Sequence, residues 1–528
     1  MTISRRSAMA VLGGAISSAS LNRLSAAQAE GFEFGTEKGP FQPTRESLKA
    51  YRVPEWFRDA KFGIWAHWGP QSAAEYGDWY ARRMYFQGER QYNYHVKTYG
   101  HPSKFGFKDV IATWKADQFD ADHLMQLYRE AGAKYFCSMG VHHDNFDLWN
   151  SKYQPRWNAV ASGPKKDIVG LFRKAAIKQG MKFAVSEHLG FSYNWMAAAH
   201  SSDKTGPYAG VPYDGADPQY ADLYHALPKD YDYSTLTPLG MSLASPESWK
   251  QLYYRRIKDL IDQYEPDLLY TDGGIMFEEY GLNLVAHLYN SSAKRNKGKV
   301  ESIYTSKSRR DCEEGTCVQD FERGLAAGIS ANPWQTDTCI GGWHYDKTIY
   351  EGARYKSPKM VIDMLVDIVS RNGNLLLNFP LPNSGALDPA ELKVLDEITR
   401  WMAVNSEGIY STRPWKMFGD GPVATAPAPV PGRGGPRFGE QLRKDLTAEE
   451  VRFTTKGKTL YAFVMGWPEK ETVIKPLGSN NAGMKVVNVA LLGFKGELQW
   501  TQGADGLKVQ MPPAKPCDHA ITLKITGA

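Results

Sequence analysis

Apolar and polar positions alternate on two different scales along the chain. Beyond Pro54, short apolar runs with the length of buried strands are separated by segments in which apolar residues recur with helical spacing. Helical spacing is clearest at 122–132, 164–180, 246–264 and 358–373. The predicted strands lie at 61–66, 134–139, 182–185, 268–270, 303–304, 318–321, 335–340 and 374–378. About eight strand–helix units predict an α/β chain folded as a (β/α)8 barrel, in places irregular, which we assign to residues 30–410.

The last part of the chain has a different pattern. A stretch rich in Pro, Gly and Ala at 421–439 indicates a loop or linker. The segments around it alternate apolar and polar residues with the period of strands, at 450–455, 459–465, 496–501, 507–511 and 520–525. Residues 411–528 are therefore predicted to form this linker and a small antiparallel β-sandwich, with no cluster of catalytic side chains.

The first 29 residues have the pattern of an export signal. Arg5 and Arg6 precede a weakly apolar run from Ala8 to Leu21, and Ala27-Gln28-Ala29 resembles a cleavage site. The paired arginines favour twin-arginine export to a bacterial periplasm, with a general secretory signal as the alternative. No other run is long enough to span a bilayer, so we expect no membrane insertion of the mature protein.

Composition narrows the classes of partner. The formal net charge of +5 is small for 528 residues and argues against nucleic acid as a partner. The 15 Trp and 29 Tyr residues mildly favour a carbohydrate ligand, because aromatic faces stack on sugar C–H surfaces. Five cysteines do not suggest a disulfide scaffold; Cys312 and Cys317 could bridge, whereas Cys137 and Cys339 fall in predicted strands as buried thiols. The sequence leaves the oligomeric state open, and a homo-oligomer is allowed.

Chemically useful side chains follow several of the predicted strands. Asp272, in Thr271-Asp272-Gly273-Gly274, comes directly after a buried strand, and its two glycines allow a sharp turn with room for a ligand. Taken alone, this aspartate is as well explained as a helix cap. The other predicted strand ends carry His67, His142, His143, Glu187, His188 and Glu322. Because the carboxyl ends of barrel strands meet at one mouth, we expect these groups to converge there.

Three kinds of chemistry compete for this set. His pairs with an Asp are credible zinc or iron ligands, although adjacent residues on a strand point to opposite faces, which disfavours His142 and His143 as a chelate. A pair of carboxylates suits glycoside hydrolysis, with Asp272 as nucleophile and Glu322 as acid/base. A barrel that only binds sugars is the third alternative.

Longer motifs resemble one family. The segments 56–69, 78–82, 133–153, 163–169, 271–274 and 363–378 resemble, in order, those of glycoside hydrolase family 29, the α-L-fucosidases. The resemblance extends over nearly all of the mature chain. It implies a retaining exo-α-L-fucosidase without cofactor or metal, acting on fucosylated oligosaccharides or glycoconjugates.

The resemblance also implies roles for individual residues. Asp272 would be the nucleophile and Glu322 the general acid/base, with Glu301, Glu313 and Glu314 as nearby alternatives to Glu322. The implied sugar-binding residues are His67, Asp78, Trp79, His142, His143, Glu187, His188, Arg310 (or Arg309) and Trp343. The chain departs from the family at Asp78, where many relatives have Glu, at 186–188 and at 342–345. These departures surround the sugar site and leave the preferred linkage open.

Overall fold

The computed structural model describes residues 31–312, 315–426, 439–443, 445–481 and 484–527. Residues 36–528 belong to one compact unit, and the chain up to Gly35 belongs to another. The predicted export signal and most of the predicted linker lie outside the described residues. None of the described helices is long and apolar enough to cross a bilayer.

Eight parallel strands close into a barrel in chain order, with β8 paired to β1. They are β1 (Phe62–Ala66), β2 (Tyr135–Val141), β3 (Lys182–Glu187), β4 (Leu268–Thr271), β5 (Ile303–Ser306), β6 (Val318–Asp320), β7 (Trp334–Cys339) and β8 (Gly373–Asn378). Six of them are buried along their whole length, which explains the apolar runs of β1, β2 and β4; β7 is equally buried although its four central residues are polar. The predicted barrel is confirmed.

The helices accompany these strands unevenly. Those of the described residues are α1 (Arg45–Leu48), α2 (Glu55–Ala60), α3 (Tyr80–Arg83), α4 (Arg90–Thr98), α5 (Phe107–Ala112), α6 (Ala121–Glu130), α7 (Ile168–Lys178), α8 (Ser192–Trp195), α9 (Ala221–Tyr224), α10 (Glu247–Tyr264), α11 (Glu279–Arg295), α12 (Arg309–Cys312), α13 (Lys347–Glu351), α14 (Pro358–Ser370) and α15 (Pro389–Asn405). Within the described chain, β6 and β7 are joined without an α-helix. The expected irregularity of the barrel lies there.

The segment that carries Asp272 shows how local sequence sets the geometry. Helix α10 ends where Glu265 adopts a left-handed conformation, and Pro266 precedes β4. Gly273 has a φ of 131°, and a Cβ on Gly274 would lie 2.6 Å from a carboxylate oxygen of Asp311, so both positions require glycine. The next helix begins only at Glu279, so Asp272 does not cap it.

The start of α10 differs by one residue from the predicted helical segment at 246–264. Pro246 is the N-cap, without a capping side chain, and the helix begins at Glu247. A proline fixed at φ −66° and ψ 158° holds an extended conformation just outside the helix.

The C-terminal region forms two antiparallel sheets, as predicted. The larger has the order β13-β16-β11-β10-β9 and the smaller β12-β15-β14. The strands are β9 (Arg413–Asp420), β10 (Val451–Lys456), β11 (Thr459–Val464), β12 (Glu471–Ile474), β13 (Val486–Leu491), β14 (Trp500–Gly503), β15 (Gly506–Gln510) and β16 (Ile521–Gly527). Both sheets contribute to one apolar core, in which Phe453, Leu507 and Leu523 are fully buried. β9, β12 and β13 were not predicted.

Barrel and sandwich are joined by a buried cluster of charges. Asp367 of α14 accepts a hydrogen bond from Nε of Arg452 on β10 at 2.6 Å, and Arg371 and Arg443 lie within 3.5 Å of the same carboxylate. Burial acts to raise the pKa of Asp367, but the three guanidinium groups outweigh it and lower the pKa. The ionised carboxylate therefore ties the last β/α unit to the sandwich.

The pairing and burial of four cysteines agree with the predictions from the sequence. Cys312 and Cys317 form a disulfide, the pairing that the sequence allowed. Cys137 on β2 and Cys339 on β7 are buried free thiols, as expected.

Candidate active site

A cavity of about 300 Å³ opens at the carboxyl ends of the barrel strands. It is lined by residues of β1, β4 and β7 and of the segments that follow seven of the strands. Of the residues expected at a site, it contains His67, Asp78, Trp79, His142, His143, His188, Asp272, Glu322 and Trp343. The convergence that the strand ends predicted is therefore present for most of the set.

Asp272 lies at the centre of this cavity. Its Oδ2 is 3.2 Å from Nε2 of His143 and 3.3 Å from Nδ1 of His188, while its Oδ1 is 2.6 Å from Nζ of Lys307. The side chain keeps 16 % of its surface exposed, towards the cavity. The carboxylate is thus held on both oxygens by groups from neighbouring strands.

Lys307 connects the two expected catalytic carboxylates. It follows β5 directly, and its Nζ lies 2.6 Å from Asp272 and 2.8 Å from Oε2 of Glu322. The same nitrogen is 4.0 Å from Oδ2 of Asp337 on β7, which also accepts a hydrogen bond from Tyr270. Burial acts to lower the pKa of Lys307, but the three carboxylates raise it well above its usual range, so the ammonium stays charged.

The pKa values of the two carboxyl groups are shifted in opposite directions, although Lys307 acts to lower both. Burial acts to raise the pKa of Asp272, but Lys307, His188 and His143 outweigh it and hold the pKa well below its usual range. Burial raises the pKa of Glu322; Lys307 opposes this, while Asp337 and Asp272 add to it. One carboxyl group is therefore kept ionised and the other is biased towards its protonated form.

Five histidines form a wall beside these carboxylates, and two of them, His143 and His188, contact Asp272. Rings of His67, His142, His143, His188 and His344 lie with neighbouring centroids 4.4–5.5 Å apart. Nδ1 of His142 is held by Gln71 at 2.8 Å and Nδ1 of His143 by the His188 carbonyl at 2.6 Å. Burial lowers the pKa of His67 and of His142 well below the usual value, so both rings are neutral and can donate and accept.

The expectation that His142 and His143 point to opposite faces was wrong. β2 ends at Val141, after an irregularity in its pairing with β3, so both histidines lie in the turn beyond the strand. The alternation of a strand no longer applies there. Both rings consequently reach the same cavity.

Two histidine groups have ligand atoms close enough together to hold a metal ion. One consists of His67, Asp78, His142 and His344, and the other of His142, His143 and His188. In the first, Asp78 already accepts a hydrogen bond from Nδ1 of His344 at 2.7 Å, and neither ring nitrogen of His67 has a partner to orient it as a ligand. In the second, His143 and His188 both face Asp272. The donor set therefore suits a ligand with several hydroxyl groups better than a structural metal.

Aromatic residues complete the cavity. Trp343 lies 5.6 Å, between ring centroids, from both Trp65 and His67. Trp79, in a left-handed conformation with φ 57°, stands edge-on to His143 and Trp195. These rings offer apolar faces beside the polar groups, as carbohydrate sites require.

Two of the expected sugar-binding residues lie elsewhere. Glu187 is buried outside the cavity lining and accepts hydrogen bonds from Tyr253, Thr271 and the backbone N–H of Leu189, each at 3.0 Å. It precedes His188, and consecutive residues at a strand end face opposite sides. Arg310 is exposed on the short helix α12 and does not line the cavity, nor does Arg309.

Lys307, which contacts both carboxylates, was not predicted. It is the first residue after β5, but the apolar run of that strand ends at Tyr304, so the rule that identified Asp272 did not extend to it. Asp337 lies inside β7, and no sequence signal distinguished it. Glu301 precedes β5, at the opposite end of that strand from Asp272, whereas Glu313 and Glu314 lie outside the described residues.

Comparison with known proteins gives a consistent result over the whole described fold. The family model for Alpha-L-fucosidase matches residues 32–407, and that for the Alpha-L-fucosidase C-terminal domain matches residues 443–526. Tissue alpha-L-fucosidase of Mus musculus is 26% identical over 498 residues, covering 92% of this chain and 94% of that protein. Plasma alpha-L-fucosidase of Homo sapiens is 26% identical over 509 residues, covering 92% of each. The solved structure of Thermotoga maritima alpha-fucosidase shares the fold, with a TM-score of 0.67 at 23% identity over 92% of this chain and all of that one.

Glu187 should make the stability of the site depend on pH. Burial raises its pKa to about 7, against hydrogen bonds from Thr271, Leu189 and Tyr253. Because this pKa exceeds that of the unfolded chain, the contribution of Glu187 to stability is complete at about pH 4 and is lost as the pH rises through about 7. Relative to Glu187→Gln, the wild type should lose about 3 kcal/mol of unfolding free energy between those pH values, measured by urea titration. For the exposed control Glu46→Gln the difference should be constant; a constant difference for Glu187→Gln as well would contradict the assignment.

Proposed function

Because the chain belongs to the α-L-fucosidase family of glycoside hydrolases, we propose that it is a retaining exo-α-L-fucosidase with Asp272 as nucleophile and Glu322 as general acid/base. The observation that supports these roles best is the position of Lys307 between the two carboxylates. Their oxygens share Nζ at 2.6 and 2.8 Å, so they lie no farther apart than those two contacts together allow. That limit agrees with the carboxyl separation of about 5–5.5 Å in retaining enzymes and is below the roughly 6.5–9.5 Å of inverting ones.

In the first step the ionised carboxylate of Asp272 attacks the anomeric carbon. The bond to the leaving oxygen breaks while Glu322 gives that oxygen its proton, which yields a covalent fucosyl-enzyme. The low pKa of Asp272 and the raised pKa of Glu322 support this division of roles. In the second step Glu322 takes a proton from water, the resulting hydroxide attacks the anomeric carbon, and Asp272 leaves.

The histidine wall supports recognition of the sugar. His67 and His142 line the cavity, and His344 packs against His67; among the described residues, both ring nitrogens of His67 and Nε2 of His344 are buried without a protein partner. An unpaired buried nitrogen is costly, and fucosyl hydroxyl groups would supply the missing hydrogen bonds. Trp79 and Trp343 would cover the apolar face of the ring. The substrates are accordingly terminal α-L-fucosyl units of oligosaccharides or glycoconjugates.

The export signal supports a periplasmic location. If Arg5 and Arg6 direct twin-arginine export, replacing both with Lys should retain the protein in the cytoplasm of the expressing bacterium. Fractionation followed by immunoblotting measures this. Unchanged appearance of the double variant in the periplasm would favour the general secretory route instead.

Removing the carboxylate nucleophile should abolish turnover, and a small external nucleophile should restore part of the activity. Asp272→Gly should lower kcat/KM for 4-nitrophenyl α-L-fucoside by roughly 10³-fold or more. Azide, occupying the vacated space, should restore part of the rate and give the β-fucosyl azide after a single inversion. Glu322→Ala should instead give the α-azide, because the fucosyl-enzyme on Asp272 still forms.

Product anomers, read by NMR, therefore assign the two carboxylates separately. The opposite pairing of anomers and variants would exchange their roles, and full activity of Asp272→Gly would refute the mechanism. Assays of the wild type in the presence of a chelator test the metal-dependent alternative. That alternative predicts a loss of activity, whereas the proposed mechanism predicts none. A barrel that only binds sugars would release no 4-nitrophenol.

Removing the shared cation should move both limbs of the pH profile in the same direction. The acidic limb of kcat/KM reports ionisation of Asp272 and the basic limb reports Glu322. Lys307 lowers both pKa values, so Lys307→Met should shift both limbs to higher pH, by about 1–3 units each. Lys508→Met removes an exposed lysine paired with Asp505 and should leave the profile unchanged. Limbs that stay in place, or move apart, would show that Lys307 does not control the pair.

A further inference from the structure

The mouth of the cavity carries an arginine that lacks a counter-charge. Arg83 ends α3, is partly buried and lines the same cavity as Asp272. Among the residues that the structure describes, its guanidinium group has neither an ion-pair nor a hydrogen-bond partner, and its Nε is buried without one. Leaving a buried charged donor unpaired is costly, so a ligand that supplies acceptors would be bound favourably there.

The arginines before and after it in the chain, Arg82 and Arg90, have hydrogen-bond or ion-pair partners within the protein. Arg82 donates to the carbonyl groups of Trp195 and Thr237. Arg90 also lines the cavity, but its guanidinium group is paired with Asp346 at 2.6 Å and lies over the ring of Tyr76. Arg83 therefore differs from both neighbours in having its charge available to the cavity.

An apolar surface accompanies this charge. The bond from Arg82 to the Thr237 carbonyl ties the following segment to α3, and Leu239 and Met241 of that segment line the cavity as well. Leu239 is 55% exposed and Met241 is 39% exposed, although both are large apolar side chains. Exposed apolar side chains beside an unpaired cation are suited to a ring that bears a negative substituent.

The charge does not serve the fucosyl unit. That sugar is uncharged, and the cation facing the reacting groups is Lys307, which already bridges Asp272 and Glu322. In exo-hydrolysis the terminal fucosyl unit occupies the closed end of the cavity and the remainder of the substrate extends through the mouth. A negative group near Arg83 would therefore belong to the leaving group.

We propose that Arg83, with Leu239 and Met241, forms a leaving-group site that selects substrates carrying a sulfate or carboxylate group next to the fucosyl linkage. The proposal rests on the function proposed above. The planar guanidinium group can donate two parallel hydrogen bonds to either anion, and the two apolar side chains contact the ring that carries it.

The test compares neutral and charged leaving groups in matched variants. kcat/KM is measured for phenyl, 4-sulfophenyl and 4-carboxyphenyl α-L-fucosides with the wild type, Arg83→Gln and Arg83→Lys. Intrinsic differences between leaving groups cancel when each charged-to-neutral ratio is compared across variants. That ratio should fall about 10-fold in Arg83→Gln, mostly through KM, and less in Arg83→Lys, which keeps the charge. Arg400→Gln, which removes an exposed arginine on α15, should leave the ratio unchanged.

The outcomes separate this proposal from the one on which it rests. A lower ratio for the sulfonate, the carboxylate or both supports the site and identifies the anion that it prefers; added salt should reduce the wild-type preference. An equal ratio in wild type and Arg83→Gln overturns it. If the wild type hydrolyses none of the three compounds, the proposed function fails; calorimetric titration of the phenyl and 4-sulfophenyl fucosides into wild type and Arg83→Gln then still decides whether Arg83 binds the anion.

Discussion

The arrangement of the site depends on one buried ammonium group. Asp272 and Lys307 directly follow β4 and β5, Glu322 lies just after β6, and Asp337 lies within β7, so the four groups belong to four successive strands of the barrel. Three carboxyl groups could not be brought so close in a largely buried place without a cation among them, because each would oppose the ionisation of the others. Lys307 lies within 4.0 Å of all three and permits the convergence. The other half of the barrel mouth contributes indoles and the imidazole rings of His67 and His142, whose pKa values are lowered by burial.

The charged half and the histidine half of the barrel mouth have different roles in the proposed reaction. The charged half differentiates two carboxyl groups that contact the same nitrogen: His143 and His188 add to the stabilisation of ionised Asp272, whereas Asp337 and Asp272 add to the burial that disfavours ionised Glu322. A nucleophile and a proton donor require such opposite shifts. His67 and His142 supply hydrogen-bond donors and acceptors without charge, which suits a neutral sugar. Arg83 lines the same cavity and, as proposed, contacts the group to which the sugar is attached.

Sequence patterns predicted the barrel well because apolar runs such as those of β1, β2 and β4 are buried along their whole length and chemically useful residues follow them. The same rule identified Asp272, which directly follows β4. It missed Lys307 because the apolar run of β5 stops at Tyr304, two residues before the strand ends; Arg310 was assigned from the family resemblance instead. Glu187 was misplaced because the face on which its side chain lies depends on the residue at which β3 ends. β9 and β13 were not predicted because their buried residues do not alternate regularly with exposed ones.

The central claim is that Asp272 carries the fucosyl group during turnover. The fluorine at C2 of 2-deoxy-2-fluoro-α-L-fucosyl fluoride slows both formation and breakdown of the intermediate, whereas the good fluoride leaving group speeds formation. Incubation with this compound should therefore trap the fucosyl-enzyme. Proteolysis and mass spectrometry should then locate one added fluorofucosyl group on the peptide that contains Asp272, and none in the Asp272→Gly variant. Labelling of Glu322 or Asp337 in place of Asp272, or turnover of the reagent with inversion, would contradict the account.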